Sequence, residues 1–170
     1  SIGLSPPRVR IALGGSSEEV RRQVDLSGAE VVENPDFGEG CSSSIAAGLG
    51  AVDPRAEAMV LMLGDQPGVT AETVRALVAG RGEGTRMAVC RYDDGRGHPL
   101  AFGRELFGEL ADLHGDKAVW KLMDRLGDCG PQPIRVARRG CRGGGPSRVL
   151  AVQVPPPLGL LGQFLGAGLL

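Results

Sequence analysis

The six residues Ala58-Met59-Val60-Leu61-Met62-Leu63 are apolar at every position, and Gly64-Asp65-Gln66-Pro67 follows them at once. A short run with no alternation is a strand without a polar face, so it has to lie inside a sheet that is covered on both sides. Flanking runs read as further strands: Val9-Arg10-Ile11-Ala12-Leu13, Ala29-Glu30-Val31-Val32 and Met87-Ala88-Val89-Cys90. Between them lie segments with apolar residues at helical spacing. These are Val20 with Val24, the stretch from Ser42 to Leu49, Val74 with Leu77 and Val78, Leu106 to Leu113, and Val119 to Leu126. Alternation of this kind builds βαβ units and predicts an α/β fold with a mostly parallel sheet. Ser16 stands three residues before Glu19, a capping-box spacing, and the hydroxyls of Ser42 to Ser44 are placed to cap the free N–H groups of the next helix. Thr70 is the cap expected for a further helix, which Gly80 closes. Gly95 to Pro99 reads as a loop.

The 170 residues are enough for one core. With 19 basic against 20 acidic side chains and 4% aromatics, neither a phosphate-binding field nor a stacking surface for single strands is supplied, so a nucleic-acid partner is not expected. Cys41, Cys90, Cys129 and Cys141 form no C-x-x-C pair, which argues against a zinc site and for a reducing cytoplasm. The most apolar stretch, Leu158 to Leu170, is too short to span a bilayer. Composition changes near Gly127: residues 1–126 carry a net charge of -5, and residues 127–170 carry +4 with 10 Gly and 6 Pro. The expected organisation is therefore one domain over 1–126 and a Gly/Pro/Arg-rich tail over 127–170, within which Arg148 to Val154 reads as a strand.

No G-x-x-x-x-G-K-[ST] and no G-x-G-x-x-G is present, so the familiar phosphate loops cannot carry the chemistry. What remains is a set of polar loops at strand ends: Asn34 to Ser44, Gly64 to Pro67, Gly97 to Pro99, and Gly115-Asp116. A carboxylate directly after a buried strand, as Asp65 is, can hold Mg²⁺ beside a polyphosphate, and it serves equally as a turn former. Asp116 divides in the same way between a ligand and a helix cap. His98, between Gly97 and Pro99, either fixes its loop by a hydrogen bond or meets substrate.

Four stretches in order are N-P-D-F-G-E-G-C-S-S-S-I-A-A-G-L (34–49), L-G-D-Q-P (63–67), G-H-P-L-A-F (97–102) and L-H-G-D-K (113–117). Together they resemble the MobA-like nucleotidyltransferases, and within that family molybdenum cofactor cytidylyltransferase is the most similar. The resemblance implies a Rossmann-like, three-layer fold and an enzyme that transfers a nucleoside monophosphate from a nucleoside triphosphate, with CTP favoured over GTP, to a molybdopterin-type acceptor, releasing pyrophosphate. It implies Mg²⁺ as cofactor, with Asp65 and Asp116 as metal ligands and catalytic groups. The Asn34 to Ser44 loop would line the nucleotide's base and ribose, with Asn34, Ser43, Ser44 and Gln66 as contacts, and His98 and Pro99 would lie on the acceptor side. A molybdoenzyme or its chaperone would take the product.

The chain departs from that pattern at both ends. The family opens with a Gly-rich, Arg- and Lys-bearing loop, and the sequence enters at what reads as the second strand, so the amino end is expected to be incomplete. Past Gly127 the basic tail is what a shifted reading frame would produce, with genuine divergence as the alternative. A non-catalytic remnant, an acceptor-binding module, or a sister transferase acting on another phosphorylated acceptor are the competing readings.

Overall fold

A computed structural model describes residues 8–66, 68–81, 85–93, 95–126, 132–135 and 149–154. The elements are β1 (Val9–Leu13), α1 (Ser17–Gln23), β2 (Ala29–Glu33), α2 (Cys41–Gly50), β3 (Ala58–Leu63), α3 (Ala71–Arg81), β4 (Met87–Tyr92), β5 (Gly95–Gly103), α4 (Phe107–Ala111), α5 (Ala118–Leu126), β6 (Gln132–Arg135) and β7 (Val149–Val154). They form one seven-stranded sheet in the order β2-β1-β7-β3-β5-β4-β6.

The all-apolar run is the central strand expected of it. Met59, Val60 and Leu61 of β3 are almost wholly buried. Alternate residues feed two separate cores, because successive side chains of a strand point to opposite faces. Met59 and Leu61 join Leu100, Phe102, Ile45 and Leu122 under α2, α4 and α5. Val60 and Met62 pack instead with Ala88, Ala101 and Leu77 of α3. Helices cover both faces, which makes the three layers of an α/β protein.

Five strands, β1, β2, β3, β4 and β6, run the same way, as expected of βαβ units. The other two are interleaved against them: β5 pairs antiparallel with both β3 and β4, and β7 with both β1 and β3. The segment from Gly95 to Pro99, expected as a loop, is therefore the first half of a nine-residue strand. It closes a hairpin with β4, and the register shifts between Val89 and Cys90. Gly and Pro obscure such a strand in the sequence, since both are depleted from regular strands and gather at irregular ones. The strand expected at 148–154 exists as β7, with Arg148 outside the described residues. Of the tail, only β6 and β7 are described, and both are strands of the same sheet.

Two helix starts differ from expectation. Ser16 occupies the cap of α1 but makes no side-chain cap bond, and Glu19 accepts from Gln23 one turn on. At α2 the cap position is Gly40, and the hydroxyls of Ser43 and Ser44 are engaged elsewhere.

Candidate functional site

Because β1, β2, β3 and β4 are parallel, their carboxyl ends share one edge of the sheet, the edge where open α/β folds take ligands. β5 runs the opposite way and brings its amino end to that edge. Leu61 is registered with Leu100, so His98 and Pro99 lie beside the end of β3 and close to Asp65. Asn34 continues β2, its N–H donating to Leu13 O at 2.8 Å, and the amino end of α2 follows a few residues later. The edge thus gathers Asn34, Ser43, Ser44, Asp65, Gln66 and His98. Pro67 lies outside the described residues.

Asp65 is half-buried, and its Oδ1 is shielded from solvent with no hydrogen-bond partner. A shielded carboxylate oxygen without a donor is costly unless a cation or donor completes it, so the residue fits a metal ligand better than a self-contained turn. Among the described residues no three His, Cys, Asp or Glu side chains are grouped to hold an ion by themselves.

Asp116 is placed by a long-range contact. Its Oδ1 accepts the N–H of Cys41 at 3.0 Å, capping α2 from 75 residues away. Gly40 makes the approach feasible: its φ is +98°, and a Cβ there would lie 2.6 Å from the same Oδ1. Burial, then Asp116, then Asp65 raise the Cys41 thiol above its ordinary value, so both carboxylates face this residue and Cys41 stays a neutral thiol. Asp116 thereby acts as a cap with its second oxygen left for other work.

Asn34 is buried and carries the loop that follows it. Its amide donates to Ser43 Oγ and Ser44 Oγ, both at 2.9 Å, and its carbonyl oxygen accepts the Asp36 N–H at 3.0 Å. Ser43 donates in turn to Gly40 O at 2.8 Å. The hydroxyls thus tie the loop to α2 instead of capping the helix.

His98 is half-buried, its peptide bond to Pro99 is cis, and its carbonyl accepts the Tyr92 hydroxyl. The ring meets Trp120 of α5 edge to face, with centroids 5.6 Å apart and planes at 83°. Burial pushes the imidazole down to about 4 against the opposing pull of Asp65, so it is neutral at pH 7 and offers one donor and one acceptor. Phe37 and Cys41 belong to the Asn34 to Ser44 loop expected at the site, whereas Trp120 and Tyr92 reach it from α5 and β4 with no signal in local spacing.

The fold and the position of these groups define an open-sheet α/β protein with its ligand site at the carboxyl ends of the strands. The chain belongs to the MobA-like NTP transferase domain family, which matches residues 4–129, a family of nucleotidyltransferase enzymes. Among solved structures it is similar to the homologue of Mycobacterium tuberculosis Rv0371c from Mycobacterium sp. strain JC1. The two are 50% identical with a TM-score of 0.69, over 76% of this chain and 64% of that one. It is also similar to Rv0371c from M. tuberculosis H37Rv, at 45% identity and TM-score 0.67, over 79% and 67% of the two chains. A structure of Rv0371c in complex with manganese matches at 45% identity and TM-score 0.66, covering 78% and 67%. The chain therefore spans about two thirds of the length of these relatives. No curated protein matches it.

Proposed function

We propose that the protein transfers a nucleoside monophosphate from a nucleoside triphosphate to a phosphorylated acceptor, with release of pyrophosphate, and that the donor is CTP and the acceptor molybdopterin-type. The observation that carries the reading is the shielded, partnerless Oδ1 of Asp65 at the end of the central strand, in a chain of the MobA-like family. The finer choice of CTP and of a pterin acceptor rests on the four motifs at 34–49, 63–67, 97–102 and 113–117.

A divalent cation bound here would neutralise charge on the phosphates and polarise the α-phosphorus. The residues of the chain do the positioning. Asp65, with Asp116 beside Cys41, would hold the cation. Ser44, fixed by Asn34, and Gln66 would line the nucleotide. His98 stays neutral and so presents a hydrogen bond to the acceptor without adding a proton to its phosphate. No side chain has to form a covalent bond, because the acceptor phosphate oxygen is itself the nucleophile, and rate comes from alignment and charge stabilisation. That Rv0371c was solved in complex with manganese supports a divalent metal, and Mg²⁺ is the ion proposed.

The test is pyrophosphate release from CTP and from GTP, with molybdenum cofactor as acceptor and Mg²⁺ or Mn²⁺ present. Release with CTP and cofactor is expected. Release only with another phosphorylated acceptor would move the protein to a sister activity, and release with neither nucleotide would remove the reading.

A further inference from the structure

Near the carboxyl end of β4, Arg91 has an arginine opposite it on either side. It is registered with Arg96 of β5 and with Arg135 of β6, so three neighbouring strands place arginine at one level of the sheet. Directly opposed positions hold their Cβ atoms about 5 Å apart, and like charges placed in this way are destabilising. The row is therefore a cost to the fold. Arg91 and Arg96 are both exposed. Among the described residues Arg91 has no ion pair, although Asp93 is only two residues on. Arg96 reaches one carboxylate, that of Asp124 on α5, at 4.0 Å, and both of those side chains are open to solvent.

The neighbours of the row fix its face. Cys90 and Tyr92 pack into the core under α3, so Arg91 between them faces the other side of the sheet, that of α5. Arg96 faces α5 through Asp124. His98, two residues further along β5, meets Trp120, which stands one turn before Asp124 on the same helix. Arg96 and His98 therefore share a face and lie ~7 Å apart. Sheet order sets the direction. β3, which ends just before Asp65, is followed outward by β5, β4 and β6, while the loop from Asn34 to Ser44 lies beyond it on the opposite side. A molecule with one phosphate at Asp65 and His98 that extends away from the nucleotide thus passes over Arg96 and Arg91. Their planar guanidinium forks match the oxygens of a phosphate or carboxylate, and such a group would relieve the repulsion between them.

We propose that Arg91 and Arg96 form a second anion subsite of the acceptor, which holds an acidic group of that molecule other than the phosphate that attacks. The proposal rests on the nucleotidyl-transfer reading and adds to it a chemical requirement on the acceptor. That molecule carries a further oxyanion, roughly 7–10 Å from its reacting phosphate. An acceptor with one phosphate and a neutral remainder would leave the arginine row unpaired and would bind more weakly.

The experiment takes two readings on the full chain and its Arg91→Gln and Arg96→Gln variants. The first is Tm in inorganic phosphate against chloride at equal ionic strength. Arg91→Gln is expected to raise Tm in chloride, because it relieves the like-charge row, and to lose at least half of the stabilisation that phosphate gives the unaltered chain. The second is steady-state pyrophosphate release with the acceptor that supports it. KM for the acceptor should rise about 10-fold in either variant while KM for CTP stays the same, the loss of one charge-assisted contact. Equal stabilisation by phosphate in all three proteins, or an unchanged KM for the acceptor, overturns the proposal and leaves transfer standing. Absence of release by the unaltered chain with every nucleotide and acceptor overturns the transfer reading, and the assignment of the subsite to an acceptor with it.

Discussion

The two halves of the ligand edge are built on different principles. On the β3–β5 side, Asp65 follows β3 and His98 lies within β5, and in these strands Val60, Leu100 and Phe102 have no solvent exposure. On the β1–β2 side, β2 has no buried residue, and the loop from Asn34 to Ser44 keeps its shape through side-chain hydrogen bonds and one aromatic ring, that of Phe37, on the Gly14–Gly15 backbone. The first half gains precision from packing, which tolerates little change of volume. The second gains it from a few polar contacts, each worth far less alone. Such a division suits a site in which charge must be held rigidly and a base must be admitted.

The contrast can be broken most directly by emptying the packed side. Phe102→Ala should cost about 3–5 kcal/mol in urea unfolding, because a fully buried ring leaves a cavity, whereas Val31→Ala on β2 should cost under about 1 kcal/mol. Similar losses at both positions would mean the halves are equally packed.

Asp65→Asn comes next. The turn survives, since Asn serves it as well as Asp, but the charge that holds a cation is gone. Turnover should fall ~100-fold or more, about 2.7 kcal/mol, with Tm unchanged, measured as pyrophosphate release against Mg²⁺ concentration. Near-normal turnover would make Asp65 a turn residue.

On the other side, Asn34→Ala removes one acceptor and a shared donor from a buried position and should destabilise by about 2 kcal/mol. The loop should then loosen locally, read as faster amide exchange over 34–44 while β3 stays protected.

Asp116 joins the two halves, and its two roles separate by substitution. Asp116→Ala deletes the cap of α2 and should lower stability by about 1 kcal/mol, which Asp116→Asn should restore. If Asp116 also binds the cation, Asp116→Asn will be stable yet impaired in turnover. Full activity in that variant confines Asp116 to capping.

The smallest effect is that of acid on His98. Its folded value of about 4 lies below the ordinary 6.5, so the unfolded chain takes up the proton first. The stabilisation from keeping the ring neutral is complete above pH 6.5 and is lost progressively as pH falls toward 4. Between pH 7 and pH 6 the cost should be under about 1 kcal/mol, and His98→Gln should flatten that part of the stability profile.

Much of this architecture was legible residue by residue. The unbroken apolar run of 58–63 demanded a central strand, and the 3.6-residue stripes of 74–78 and 119–126 demanded helices against it, because burial has to be satisfied whatever the neighbours are. The carboxylate after Leu63 followed from the same run, since what ends a buried strand sits at its edge. Three things were decided only in space. Gly95 to Pro99 became a strand because the end of β4 offered backbone partners, Cys90 to Tyr92 facing Gly97 to Gly95, and ladder hydrogen bonds outweigh a low local propensity. Asp116 became the cap of α2 instead of serving its own helix, because the fold brings Gly115-Asp116 onto a glycine 75 residues earlier, a contact with no signature in local spacing. Phe37 and Gly14–Gly15 met in the same way. Periodicity encodes which faces must be buried, and it carries no information about which loops meet at an edge, since that depends on strand order and direction.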